Sequence, residues 1–110
     1  MTKHSIGEFE EVVMLTVAVL YDNAYGISIK QEIEHRLRRK VSVGAMRTAL
    51  QRLEDKGFLE SKLGEATPIR GGKRKRFFKV TVYGKKALDQ VMKTRAQLWK
   101  AIPRVAFDFK

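Results

Sequence analysis

Between Val41 and Leu63 the chain reads VSVGAMRTALQRLEDKGFLESKL, and within that stretch its hydrophobic period changes at a single glycine. Met46, Ala49, Leu50 and Leu53 recur at three- and four-residue steps, which predicts a helix capped by Ser42, running to Lys56 and closed by Gly57 at the C′ position. Past Gly57 the pattern alternates, Leu59, Ser61 and Leu63 on one side against Glu60 and Lys62 on the other, as a half-buried strand requires. A second alternating run from Lys75 to Thr81, with Phe78 and Val80 inward, gives that strand a partner. The linking segment holds Pro68 and Gly71-Gly72, so the pair reads as a hairpin with a long, mobile tip.

Helices flank this unit. From Glu8 to Tyr21, Phe9, Val12, Val13, Val17 and Leu20 follow helical spacing. Met14, Leu15, Ala18 and Val19 make the other side apolar too, which predicts a central helix with three acids near its positive end. Ile29, Ile33 and Leu37 mark a second helix whose N-cap is either Asn23 or Ser28. Thr81 caps a last helix on which Leu88, Val91, Met92, Arg95, Leu98, Trp99 and Ile102 form one stripe until Pro103 ends it. The expected class is mainly α with a small β-hairpin, in the order helix, helix, helix, hairpin, helix.

A chain of 110 residues makes one core, with room for a second subunit to complete it. The net charge of +11 favours a polyanionic partner. Seven cations against Glu65 alone put +6 of that charge between Lys62 and Lys79, around the hairpin. Nothing is expected to cross a membrane, since the apolar run Val12–Leu20 is nine residues where a spanning helix needs roughly 20. Acids rather than cations precede that run, which argues against a signal peptide, and there is no cysteine, so a cytoplasmic protein is expected. His4 and His35 lack the convergent partners of a catalytic or metal site, and Gly71-Gly72 lacks the GK[ST] ending of a phosphate loop. No enzyme, metal or cofactor is expected.

Three helices, the third with a polar outward face, followed by a hairpin with a basic tip, make a winged helix-turn-helix DNA-binding domain. Such a domain lays its third helix in the major groove of double-stranded DNA and rests the wing on the neighbouring backbone or minor groove. The expected division is residues 1–81 for this domain, with the wing at about 59–81, and 82–110 for a C-terminal dimerisation helix and tail. The third helix turns Ser42, Gly44, Arg47, Thr48, Gln51 and Arg52 outward; Arg47, Thr48 and Gln51 are placed for base edges and Ser42 for a phosphate. Solvation of an exposed face, or capping alone for Ser42, is the competing reading. Arg70, Lys73, Arg74, Lys75 and Arg76 are the expected phosphate contacts of the wing, with Arg38, Arg39 and Lys40 flanking. Glu54 and Asp55 should turn away from the backbone, and Phe77 is expected against the last helix or a partner chain.

Four segments also carry a family resemblance: IGEFEEVVML (Ile6–Leu15), AYGISIKQEIE (Ala24–Glu34), VSVGAMRTALQRLEDKGFLES (Val41–Ser61) and GGKRKRFFKVTVYGKKAL (Gly71–Leu88). In that order they resemble the PadR family of bacterial transcriptional regulators. The resemblance implies a short winged-helix form that dimerises through one C-terminal helix, acts as a repressor, and in some members is relieved by small aromatic or drug-like molecules. The chain departs from many relatives at Arg47, at Gly72-Lys73 and at Phe77-Phe78, so no operator sequence carries over. A homodimer is expected through Leu88, Val91, Met92, Arg95, Leu98, Trp99 and Ile102, with Phe107 and Phe109 of the tail packed on the partner subunit. Trp99 is either an interface anchor or the platform for a small aromatic effector. The rival reading is a winged-helix module that binds structured RNA or a protein scaffold.

Overall fold

The computed structural model describes residues 5–65 and 74–109. Helix α1 spans Glu8–Leu20 and a 3-10 turn Tyr21–Asn23 leads to α2, Gly26–Leu37. Helix α3 is Val43–Asp55, strands β1 and β2 are Leu59–Leu63 and Arg76–Val80, α4 is Val82–Ala101, and a last 3-10 turn covers Arg104–Phe107. The hairpin is antiparallel, with Leu59 opposite Val80, Ser61 opposite Phe78 and Leu63 opposite Arg76. Val13, Met14 and Val17 of α1, Ile29 and Ile33 of α2, Met46, Leu50 and Leu53 of α3, and Phe58, Leu59 and Phe78 close one core.

Local chemistry sets the boundaries. The Ser42 hydroxyl accepts the Ala45 N–H at 3.0 Å and starts α3. The helix ends in a Schellman turn, the Gly57 N–H reaching the Glu54 carbonyl at 3.0 Å and the Phe58 N–H the Leu53 carbonyl at 2.9 Å. Gly57 holds φ 81°, a conformation that costs a side chain about 1 kcal/mol or more. Helix α2 starts later than Asn23 and earlier than Ser28. Tyr25 is its extended N-cap residue, and Ser28, at the third helical position, accepts the Tyr25 N–H at 2.9 Å.

Five apolar residues expected to be covered open to solvent instead. Leu37 is exposed because the chain leaves α2 there through Arg38 in the left-handed region. Leu63 is exposed because the hairpin has run past the core and faces it with Arg76. Helix α1 leaves Leu15, Ala18 and Val19 uncovered, so its apolar girth is only partly central.

The start of α4 is fixed to the end of α3. Thr81 donates its N–H to the Phe58 carbonyl at 3.0 Å and its hydroxyl to the Gly57 carbonyl at 2.6 Å. The same hydroxyl accepts the Gly84 N–H at 2.9 Å, as a helix cap. Leu88, expected on the dimer stripe, is only 7 % exposed and belongs to the core of its own domain, because it lies one turn past this anchorage. Beyond it α4 carries no buried residue. The tail folds back as an aromatic series, Phe107 lying 6.2 Å from both Trp99 and Phe109 between ring centres.

Carboxylates tie the remaining joints. Glu10, inside α1, accepts Lys56 Nζ at 2.7 Å and the Gly7 N–H at 3.1 Å, and Lys56 also reaches the Ser5 carbonyl. Burial alone would raise the Glu10 pKa, but these bonds lower it on balance. Glu34 is lowered by the Val41 N–H at 2.9 Å, which it accepts across the α2–α3 turn, and by Lys30. Glu8 is lowered by a two-pronged bond from Arg39, at 2.9 and 3.0 Å. A depressed folded-state pKa contributes stability above the ordinary value of 4.5 and loses it as pH falls through the folded value. The melting temperature is therefore expected to fall steadily from about pH 5 to pH 3. Glu34→Gln, melted across the same range, should shallow that fall; an unchanged slope would count against the Glu34 contribution.

Candidate nucleic-acid interface

Helix α3 presents Ser42, Gly44, Arg47, Thr48, Gln51 and Arg52 to solvent, the side opposite Met46, Ala49, Leu50 and Leu53. The exposed set divides between two flanks. Arg47 and Gln51 line a groove of about 890 Å³ between α3, the start of α2 and the base of the hairpin. Gly44, Thr48 and Arg52 line a second hollow of about 650 Å³, where α3 faces Glu8, Phe9 and Glu10 at the start of α1. Gln51 donates to Asp55 Oδ1 at 2.9 Å, so reading an adenine edge requires that it release this neighbour.

The hairpin base supplies the other wall of the larger groove. Arg74, Lys75 and Arg76 are all exposed there, and each has an anchor inside the protein. Arg74 Nε donates to the Gly64 carbonyl at 2.7 Å. Lys75 Nζ stands 4.3 Å over the centre of the Tyr25 ring, a cation–π contact of about 0.5–1 kcal/mol at an exposed site. Arg76 donates to the Ser61 hydroxyl at 3.0 Å, and Ser61 donates onward to Glu54 Oε2 at 2.7 Å. A wing arginine is thereby linked through a hydroxyl to a carboxylate of α3. Glu54, expected to turn away from the DNA backbone, lines this groove and accepts the Ser61 hydroxyl. Arg70, Lys73 and the hairpin tip lie outside the described residues.

Tyr25 is the residue that sequence reasoning missed. It pairs with Phe77 as an isolated antiparallel bridge, the Phe78 N–H meets the Ala24 carbonyl at 2.8 Å, and the two rings meet edge to face at 5.5 Å. Ala24-Tyr25 thus adds a rudimentary third strand beside β2. Phe77, expected against α4 or a partner chain, meets Tyr25 and so joins the wing to the start of α2. The available signal was Ala24-Tyr25 before Gly26, a short extended piece hidden by the assumption that the helix began at Asn23 or Ser28. Of the flanking cations, Arg39 is held by Glu8 and stacked 5.2 Å from the Phe9 ring centre, while Arg38 and Lys40 are exposed.

A three-helix unit with a two-stranded wing, its third helix and wing base converging on one cation-rich groove, defines a winged-helix protein. Residues 14–90 match the Transcriptional regulator PadR-like family, and the chain belongs to it. It is 31 % identical over 86 residues, 76 % of either chain, to an uncharacterized protein from Lysinibacillus sphaericus. Its fold is similar to that of a PadR-like transcription factor from Bacteroides fragilis, with a TM-score of 0.70 and 25 % identity over 84 % of each chain. A PadR family transcription regulator from Clostridium difficile R20291 gives a TM-score of 0.63 at 26 % identity, covering 84 % of this chain and 91 % of that one. The family and fold make the chain a DNA-binding transcriptional regulator. Among the described residues no helix is long and apolar enough to cross a membrane.

Proposed function

We propose that the protein is a cytoplasmic repressor that occupies a palindromic operator as a homodimer. The observation that carries this reading is the gathering of exposed Arg47 and Gln51 with Arg74, Lys75 and Arg76 around one groove. In this reading Arg47, Thr48 and Gln51 meet base edges and Ser42 and Arg52 steady the helix on phosphates. The wing cations neutralise the adjacent backbone. Residues 1–81 form the DNA-binding unit and 82–110 the dimerisation unit.

Dimerisation falls to α4 and the tail, through Val91, Met92, Arg95, Leu98, Trp99, Ile102, Phe107 and Phe109, without Leu88. Trp99 is 71 % exposed, and Leu98, Phe107 and Phe109 are open beside it, a group of large apolar side chains of the kind that marks an interaction surface. Leu15 and Val19 of α1 are uncovered as well. Two recognition helices then enter major grooves about 34–36 Å apart. A small aromatic effector stacked on Trp99 at this interface would relieve repression by altering that spacing.

Selection of bound fragments from the source genome tests the reading. The recovered fragments should share an inverted repeat, and Arg47→Ala or Gln51→Ala should blur the preference at one or two positions per half-site, each worth about 1–3 kcal/mol, while leaving nonspecific binding. A chain that elutes as a monomer and selects no repeat would refute it.

A further inference from the structure

Two large apolar side chains stand open at the mouth of the groove between α3 and the wing. Val43, the first residue of α3, is 61 % exposed, and Ile27, in the first turn of α2, is 62 % exposed. Both line the groove with Arg47 and Gln51. The core does not explain Val43, since Met46, Leu50 and Leu53 fill the buried side of that helix without it. Neither does helix stability, because a β-branched residue is a weak helix former, and the Ser42 cap serves any residue after it. Next to Val43 stands Gly44, about whose Cβ position no neighbouring atom lies within 4 Å, so the first turn of α3 is open on that side too.

We propose that Val43 is a specificity-determining residue that reads the 5-methyl group of a thymine in the major groove. This rests on the placement of α3 in that groove. The first turn of a recognition helix is the part that meets base edges, and the thymine methyl is the one apolar mark the major groove displays. An isopropyl group one turn ahead of Arg47 and two turns ahead of Gln51 matches it in size and polarity. Together they make a mixed set, an apolar contact beside a guanidinium donor and an amide. Ile27, on the helix that crosses the backbone, forms the apolar wall on the deoxyribose side.

The test uses the full chain and a duplex recovered by fragment selection, with each thymine of a half-site replaced singly by uracil, which deletes only the methyl. At one or two positions uracil should weaken the wild-type protein about fourfold, the effect of one buried methylene. Val43→Ser should bind the thymine duplex about fourfold more weakly and not distinguish thymine from uracil there; Val43→Thr, which keeps one γ-methyl, should recover part of the discrimination. Position 43 is exposed, so all variants should melt like wild type, and the ratio between the two duplexes is independent of protein concentration errors. Uracil that is neutral at every position, or a penalty that persists undiminished in Val43→Ser, overturns the inference while leaving operator binding intact. If selection recovers no preferred sequence, the operator reading itself fails and this inference with it.

Discussion

Alanine at position 84 is expected to remove about 3 kcal/mol or more of folding stability, at the top of the range for overpacking a tight site. A Cβ on Gly84 would lie inside the van der Waals envelope of the Phe58 carbonyl oxygen, with the carbonyl carbon at 3.0 Å and Cα at 3.1 Å. The obstacle is backbone, so no rotamer change relieves it. Nor can α4 back away cheaply, because Thr81 bonds to both Gly57 and Phe58 and caps Gly84 in the same turn. Phe58 is itself buried and follows the Schellman turn that closes α3. Denaturant titration should show the loss, with a melting temperature lower by about 10–20 °C. Gly57→Ala, which meets only an unfavourable φ, should cost about 1 kcal/mol. If Gly84→Ala proves the milder of the two, the close approach does not govern this joint.

The second large effect concerns DNA. Replacing Arg70, Lys73, Arg74 and Lys75 together by alanine should reduce the slope of log affinity against log salt by up to about 3.6, the limit at which each of the four meets one phosphate at 0.9 apiece. At that limit, between about 50 and 200 mM salt, the wild type should lose about a hundredfold more affinity than the variant. The four should not contribute equally. Lys75 must leave the Tyr25 ring to reach a phosphate, and Arg74 must give up or share the Gly64 carbonyl. Lys75→Ala alone is therefore expected to shift the slope by less than one phosphate's share. Slopes that coincide for wild type and the fourfold variant, measured by fluorescence anisotropy on one duplex, would remove the wing from the interface.

These predictions draw on different depths of sequence information. The period change at Gly57, the Ser42 and Thr81 caps and the cations from Lys62 to Lys79 are local signals, and they located α3, the hairpin and α4 within a residue or two. What escaped depends on contacts between distant segments. Leu88 carries the same stripe whether it faces its own core or a second copy, and only the docking of Gly84 on Phe58 decides between them. Tyr25 acquires its place from Phe77 and Lys75, about fifty residues away in the chain. Glu54 faces the groove because Ser61 and Arg76 arrive there on two different strands. Charge counting located the wing, but it could not show that each cation at the wing base already holds an internal partner.

Gly84 seats the start of α4, and Arg95 ties the middle of the same helix to Glu11 of α1 at 2.9 Å. Glycine at that seat lets the helix rest directly on the peptide that terminates α3, so the two helices share one joint with little free play. From Gly84 to Ala101 the helix extends about 26 Å, at 1.5 Å per residue. Over that length a tilt of about 2° at the seat displaces the far end by about 1 Å. In a dimer joined at the far end the relation runs both ways. A small molecule that shifts the aromatic contacts there by an ångström would ask only a slight rotation of α3, yet the two copies would carry it in opposite senses across the symmetry axis. In the proposed dimer, relief by an effector would then be a change of angle, with no element unfolding.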